Sequence, residues 1–226
     1  MVGKLRGYEN VSGGHVKRPT TQVLRRYTNL AATIHMLRSR EITLLSPGTW
    51  DDRNDAYFMA EYKRRKNLKS LFALCFANCA ETYHHWRVFS HGSDGVRIEF
   101  DKRILIKSFS DEHIIARDVC YKKLDELKEG TRFPVDDLPF LKRQGFRDEA
   151  EFRIIYQNES RVLSSKSFEI DIASIRRITL SPWIVKSLSG SVIANLRQIK
   201  GCEKLKIYRS TLVDSEKWQG LASNAV

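Results

Sequence analysis

The chain has 226 residues, 42% of them hydrophobic and 10% aromatic, enough for one sizeable core and too many for general disorder. Its 39 lysines and arginines exceed 27 acidic residues, and the net charge of +12 suits a phosphate backbone or a plain solubility surface. No stretch nears about 18 consecutive apolar residues, which excludes a spanning helix.

The opening residues MVGKLRGYENVSGGHVKRPTT hold no apolar segment of a secretory signal. Cys75, Cys79, Cys120 and Cys202 follow neither zinc nor disulfide-framework spacing, so reduced, mostly buried thiols and a cytoplasmic location are expected. Residues 1–21 read as a flexible basic arm, 22–212 as one domain and 213–226 as a C-terminal tail.

QVLRRYT (22–28) reads as a strand, and Asn29 as the cap of a helix LAATIHMLRSR with Leu30, Ile34 and Leu37 on one face. A strand EITLLS (41–46), a turn-rich loop 46–55 and a helix AYFMAEYKRRKN follow. SLFALCFAN (70–78) has the continuous apolar character of a buried strand, ETYHHWRVFS (81–90) of a short helix, and GVRIEFD (95–101) alternates as a strand. IIARDVCY (114–121) predicts one strand, and 122–145 a helical region interrupted by Pro134 and Pro139. DEAEFRIIYQ (148–157) predicts a strand with a hairpin-like return SFEIDI (167–172). The strand RRITLS, a helix over 184–199 and the strand KLKIYRS complete an α+β domain with curved, largely antiparallel sheets and flanking helices.

No phosphate-loop, dinucleotide, zinc-protease or serine-hydrolase signature is present. His84, His85 and His91 are poorly placed to share a metal, because neighbours on a helix point about 100° apart. Arg25 and Arg26 point to opposite faces of their strand, so only one of them can enter a cleft; the pair equally suits a surface edge. The loop Ser46–Asp55, with Trp50 inside it, has the groups of a ligand clamp or simply those of a helix start. Glu149 and Glu151 in a strand would share one face about 6.5–7 Å apart, a cleft pair or a solvated row.

Taken together, LRRYTNLAATIHMLRSREITLLSPGTWDDRND, CFAN with HHWRVFSHGSDGVRIEFD, and DEAEFRIIY resemble an uncharacterised bacterial family. Its members read roughly YRY…FSxPxxFNDP, CFS…MWxHYAxxHxGxCIxFD and ExEWR, and the likeness spans residues 22–181. The order is remotely similar to that of ADP-ribosyltransferases, with a first-strand Arg or His, a Ser/Thr middle motif and a late E-x-E.

That resemblance implies an ADP-ribosyltransferase-like fold and NAD as co-substrate. Arg26 would neutralise the diphosphate, beside Tyr27 and Thr28, and Ser46 would be the middle motif with Phe76-Ala77-Asn78 as competitor. Glu151 would be the catalytic carboxylate and Glu149 its companion, with Tyr27, Trp50 or Trp86 stacking on nicotinamide and no metal required. Two departures stand out: LLSPG replaces Ser-Thr-Ser, and Ala77 replaces the serine of CFS. The implied acceptor is a macromolecule, which the charge tilts toward RNA or DNA. A bacterial toxin or phage-defence effector, with a neutralising antitoxin protein, fits the same picture. A non-catalytic nucleic-acid-binding module and a metal-free nuclease are the alternatives.

Overall fold

The computed structural model describes residues 23–90 and 92–222, so the arm read at 1–21 and His91 lie outside the described residues. Strand β1 (Val23–Asn29) runs directly into helix α1 (Leu30–Ser39), because Asn29 is extended and its side-chain oxygen accepts the Ala32 amide at 2.8 Å. Then come β2 (Glu41–Leu44) and α2 (Arg53–Arg65), which Asp52 caps through the Asn54 and Asp55 amides. The apolar run forms β3 (Ser70–Ala77), Thr82 caps α3 (Tyr83–Phe89), and the alternating segment forms β4 (Gly95–Asp101). Asp101 then caps a short helix absent from the sequence reading, α4 (Lys102–Lys107).

The middle of the chain corrects three expectations. IIARDVCY makes two strands, β5 (Ile114–Asp118) and β6 (Cys120–Lys122), broken at Val119, whose amide donates to the Glu151 carbonyl. No α-helix forms over 122–145: prolines cannot donate to a helical ladder, and 3-10 turns at Val135–Phe140 and Gln144–Glu149 flank β7 (Leu141–Arg143) instead. β8 (Glu151–Asn158) starts three residues later than expected and makes no hairpin with β9 (Lys166–Glu169), since β3 and β5 occupy both its edges; β9 pairs with β2. The chain closes with β10 (Ile175–Leu180), α5 (Lys186–Arg197), β11 (Ile207–Arg209) and α6 (Glu216–Gly220).

Seven strands form the main sheet in the order β11-β10-β4-β1-β3-β8-β5, antiparallel except for β10 with β11. This is the α+β, largely antiparallel single domain with flanking helices that the element order implied. One sheet face buries Leu24, Phe72, Leu74, Phe76, Ile98, Phe100, Phe152 and Ile154 with Met36 and Leu37 of α1. The other carries a smaller apolar cluster, Met59 and Tyr62 of α2 against Leu71 and Ile155. The rest of that second face is polar, and it holds the candidate site. Of the four cysteines only Cys202 is buried and Cys120 is exposed, which corrects the expectation of mostly buried thiols. No helix among the described residues is long and apolar enough to cross a membrane.

Candidate active site

The sheet forks at its centre. β1 pairs with β4 along its whole length but with β3 only at Arg25 and Ala77. Four residues back along β3, the same edge of Ala73 is taken by Leu45, through reciprocal backbone hydrogen bonds at 2.9 and 3.3 Å. The far edge of β3 is filled by β8 throughout, so Leu45 stands where the end of β1 would otherwise pair. Between the two attachments lie Leu74, Cys75 and Phe76, and around the gap stand Arg26, Tyr27, Leu45 and Ser46.

Two cross-strand rows on the polar face run past this fork. One is Arg177, Glu99, Arg25, Ala77, Glu151; beside it, Thr179, Arg97 and Tyr27 face Cys75, Arg153 and Arg117. On the first bank, Glu99 Oε1 meets Arg25 at 3.3 Å, Arg97 at 3.2 Å and Arg177 at 2.8 Å, and Glu81 meets Arg97 at 3.1 Å. Arg25 Nη1, Arg97 Nε and Arg177 Nε remain buried without a partner.

On the second bank Arg153, fully buried, donates to both Glu151 oxygens at 2.7 and 2.9 Å and to both Asp55 oxygens at 2.8 and 2.6 Å. Lys142 Nζ lies 2.5 Å from Glu149, 3.4 Å from Glu151 and 3.5 Å from Asp55. Buried charges are tolerable only when paired and hydrogen-bonded in this way. Burial alone would raise the Glu151 carboxyl, but Arg153 and Lys142 overcome it and bring it down to about 2. Burial raises Glu149, and Lys142 offsets only part of that. The two carboxylates are thus pushed apart, the condition for separate ionised and proton-exchanging roles. Lys142 rises despite burial because both glutamates surround it.

Glu149 and Glu151 converge on one ammonium, but not by strand periodicity. Glu149 ends a 3-10 turn, and Ala150 between them is left-handed with φ 43°. Arg26 does not share the Glu151 face: it stands opposite Ile98, beside Leu24 on the core side, and Arg25 is the arginine in the Glu151 row. Arg26 nonetheless lies at the fork. Burial lowers its guanidinium to about 10, with the Cys75 thiol acting against that shift. That thiol is itself raised, by burial and then by Glu151. Among the described residues, no carboxylate forms an ion pair with Arg26.

Thr28 stands opposite Val96 on the core side, away from the polar rows. The Tyr27 ring is occupied, stacked on His85 at 5.2 Å and met edge-on by Trp86. Trp86 is fully buried and donates to Glu81 at 2.6 Å, so its ring has no free face for a ligand. Trp50 differs: it packs 4.7 Å from the Arg153 guanidinium and lines an open dish of about 570 Å³ with Gly48, Thr49, Asp51, Arg53, Ala56 and Tyr57. Ser46 is exposed and caps the 3-10 turn Pro47–Thr49. His85 is engaged by Thr82 at 2.5 Å and the Glu149 carbonyl at 3.2 Å, and no group of ligating side chains suited to a metal occurs among the described residues.

Sequence reasoning placed Asp55 in a candidate clamp loop but gave no role to Arg153, Lys142 or Tyr121, whose hydroxyl accepts the Glu151 amide at 2.9 Å. The spacing of Arg153 two residues from Glu151 was a usable signal, because period two places both on one strand face. Asp55 and Lys142 come from segments whose proximity only the fold creates. A small pocket of about 70 Å³, walled by Phe58, Leu124, Leu127, Phe133 and Leu141, opens beside them.

No protein-family model matches this chain, and no curated protein matches it. Among solved structures it is similar to DarT of Thermus sp. 2.9 in complex with ADP-ribosylated ssDNA, at 12% identity and a TM-score of 0.44 over 85% of this chain and 95% of that chain. It is similar to the same protein in complex with NAD+, at 10% identity and a TM-score of 0.45 over 85% of this chain and 96% of that one. With carba-NAD+ the values are 12% and 0.44, over 85% of this chain and 97% of that chain.

Proposed function

We propose that this chain is an NAD-dependent mono-ADP-ribosyltransferase whose acceptor is a nucleic acid. The observation that carries the reading is Arg26, a half-buried guanidinium at the fork with no carboxylate partner and its basicity lowered to about 10. A partly desolvated cation without a counter-charge favours an anion beside it, and a diphosphate is the anion a guanidinium fork matches bidentately. Cys75 links the fork to Glu151. Glu151, held ionised, presents negative charge to a ribose ring that gains positive charge as nicotinamide departs. Glu149, with the higher pKa, takes the proton of the acceptor group. Trp50 is the aromatic left with room for a flat ring beside it.

The test is incubation with labelled NAD+ and, in turn, single-stranded DNA, RNA and protein. Label transfer to nucleic acid, abolished by Glu151→Gln, is the expected result; neither transfer nor NAD+ consumption by the wild type ends the transferase reading. A binding module without catalysis is the second reading, favoured by the closure of Glu151, both of whose oxygens are held by Arg153. It predicts salt-sensitive nucleic-acid binding in both proteins and no chemistry. A toxin or defence role, with a neutralising protein partner, adds a growth arrest on expression that Glu151→Gln relieves.

A further inference from the structure

The outer face of α3 carries a cluster that the site does not use. Tyr83 is 51% exposed, and Arg87, one turn on, donates from Nε to its hydroxyl at 2.8 Å. The Arg87 guanidinium carbon lies 4.5 Å from the Trp183 ring centroid and 5.2 Å from that of Tyr83, and the two rings meet at 5.8 Å and 77°. Three bulky side chains are therefore held against one another at the surface. Each loses little further freedom when a flat ligand settles on it.

We infer that Tyr83, Arg87 and Trp183 form a stacking platform for the bases of a single-stranded nucleic acid. Aromatic rings and guanidinium planes stack on any base, whereas a duplex keeps its bases stacked inside and offers only phosphates. The surplus of positive charge supplies the attraction for the backbone. The inner face of the same helix packs on the fork, because the His85 and Trp86 rings lie 5.2 Å from that of Tyr27. A strand on the platform thus stands about one helix diameter, roughly 10–12 Å, from β1. The inference deepens the proposed function and rests on it only for the class of acceptor.

The experiment is fluorescence anisotropy with labelled dT and rU oligomers of about 15 nucleotides, and a duplex of the same length. Single strands should bind more tightly than duplex, with the tighter of the two oligomers naming the acceptor. Tyr83→Ala and Trp183→Ala should each raise Kd about five- to a hundred-fold with the salt slope unchanged, and Trp183→Phe should restore most of the affinity. Platform-dependent binding by a wild-type protein that neither transfers label nor consumes NAD+ would remove the transferase reading and leave this one. Duplex binding as tight as single-strand binding, or both alanine variants within about two-fold of wild type, overturns it. So does a platform that binds a protein partner but no oligonucleotide.

Discussion

Arg25 and Glu151 occupy one row of the sheet with only Ala77 between them, a small side chain separating a positive bank from a negative one. Arg26, the neighbour with the unpaired guanidinium, leaves β1 on the other side and reaches the same gap from the core. What the two banks hold, and at what cost, can be measured.

Arg153 is the partner of two buried carboxylates, so its loss strands both. Arg153→Met should destabilise the fold by about 3–5 kcal/mol in urea unfolding. Arg153→Lys should recover only part of this, since an ammonium cannot grip Glu151 and Asp55 bidentately.

Arg26→Met should have the opposite effect on stability. Removing a half-buried, unpaired charge at the fork should leave the protein equally stable or more stable, while weakening carba-NAD+ binding at least about tenfold, read by calorimetry. A large loss of stability with unchanged binding would show that the guanidinium is structural.

The two glutamates should leave opposite signatures on pH dependence. Glu151 is depressed to about 2, so its ionised form stabilises the fold above the ordinary carboxylate range, and that stabilisation is lost as pH falls toward 2. Denaturation midpoints measured across the acid range should show this slope, and Glu151→Gln should flatten it. Glu149 is raised, so the contribution of its protonated form fades as pH rises through the elevated value. The transfer rate should climb over the same interval, and Glu149→Gln should remove that limb.

Ala150 holds φ 43° between the two glutamates, a conformation that costs a residue with a Cβ roughly 1–2 kcal/mol. Ala150→Gly should release part of that strain and leave the melting temperature equal or higher. It should also lower the transfer rate by loosening the paired carboxylates, seen as a fall in kcat with little change in KM.

Local chemistry made the elements legible. The Asn29 and Asp52 caps, the apolar run of β3 and the alternation of β4 each announced themselves, because the signal and its cause lie within a few residues. The failures came where distant segments decide. IIARDVCY changes partner at Val119, from β8 to β7, and 122–145 stays non-helical around its prolines. The E-x-E pair was readable as a shared polar group, but not its true frame: a left-handed Ala150 rather than an extended strand brings the carboxylates together. Opposite orientation of Arg25 and Arg26 followed from the sequence, whereas which of them faces Glu151 depends on the β1–β3 register.

The docking of Leu45 on Ala73 keeps the end of β1 from pairing with β3, since the amide and carbonyl of Ala73 are already spent on another segment. The width of the opening is therefore written into strand pairing rather than into loop positions. Its walls, β1 and β3, are central strands of the seven-stranded sheet, so the seam is held apart by the sheet itself.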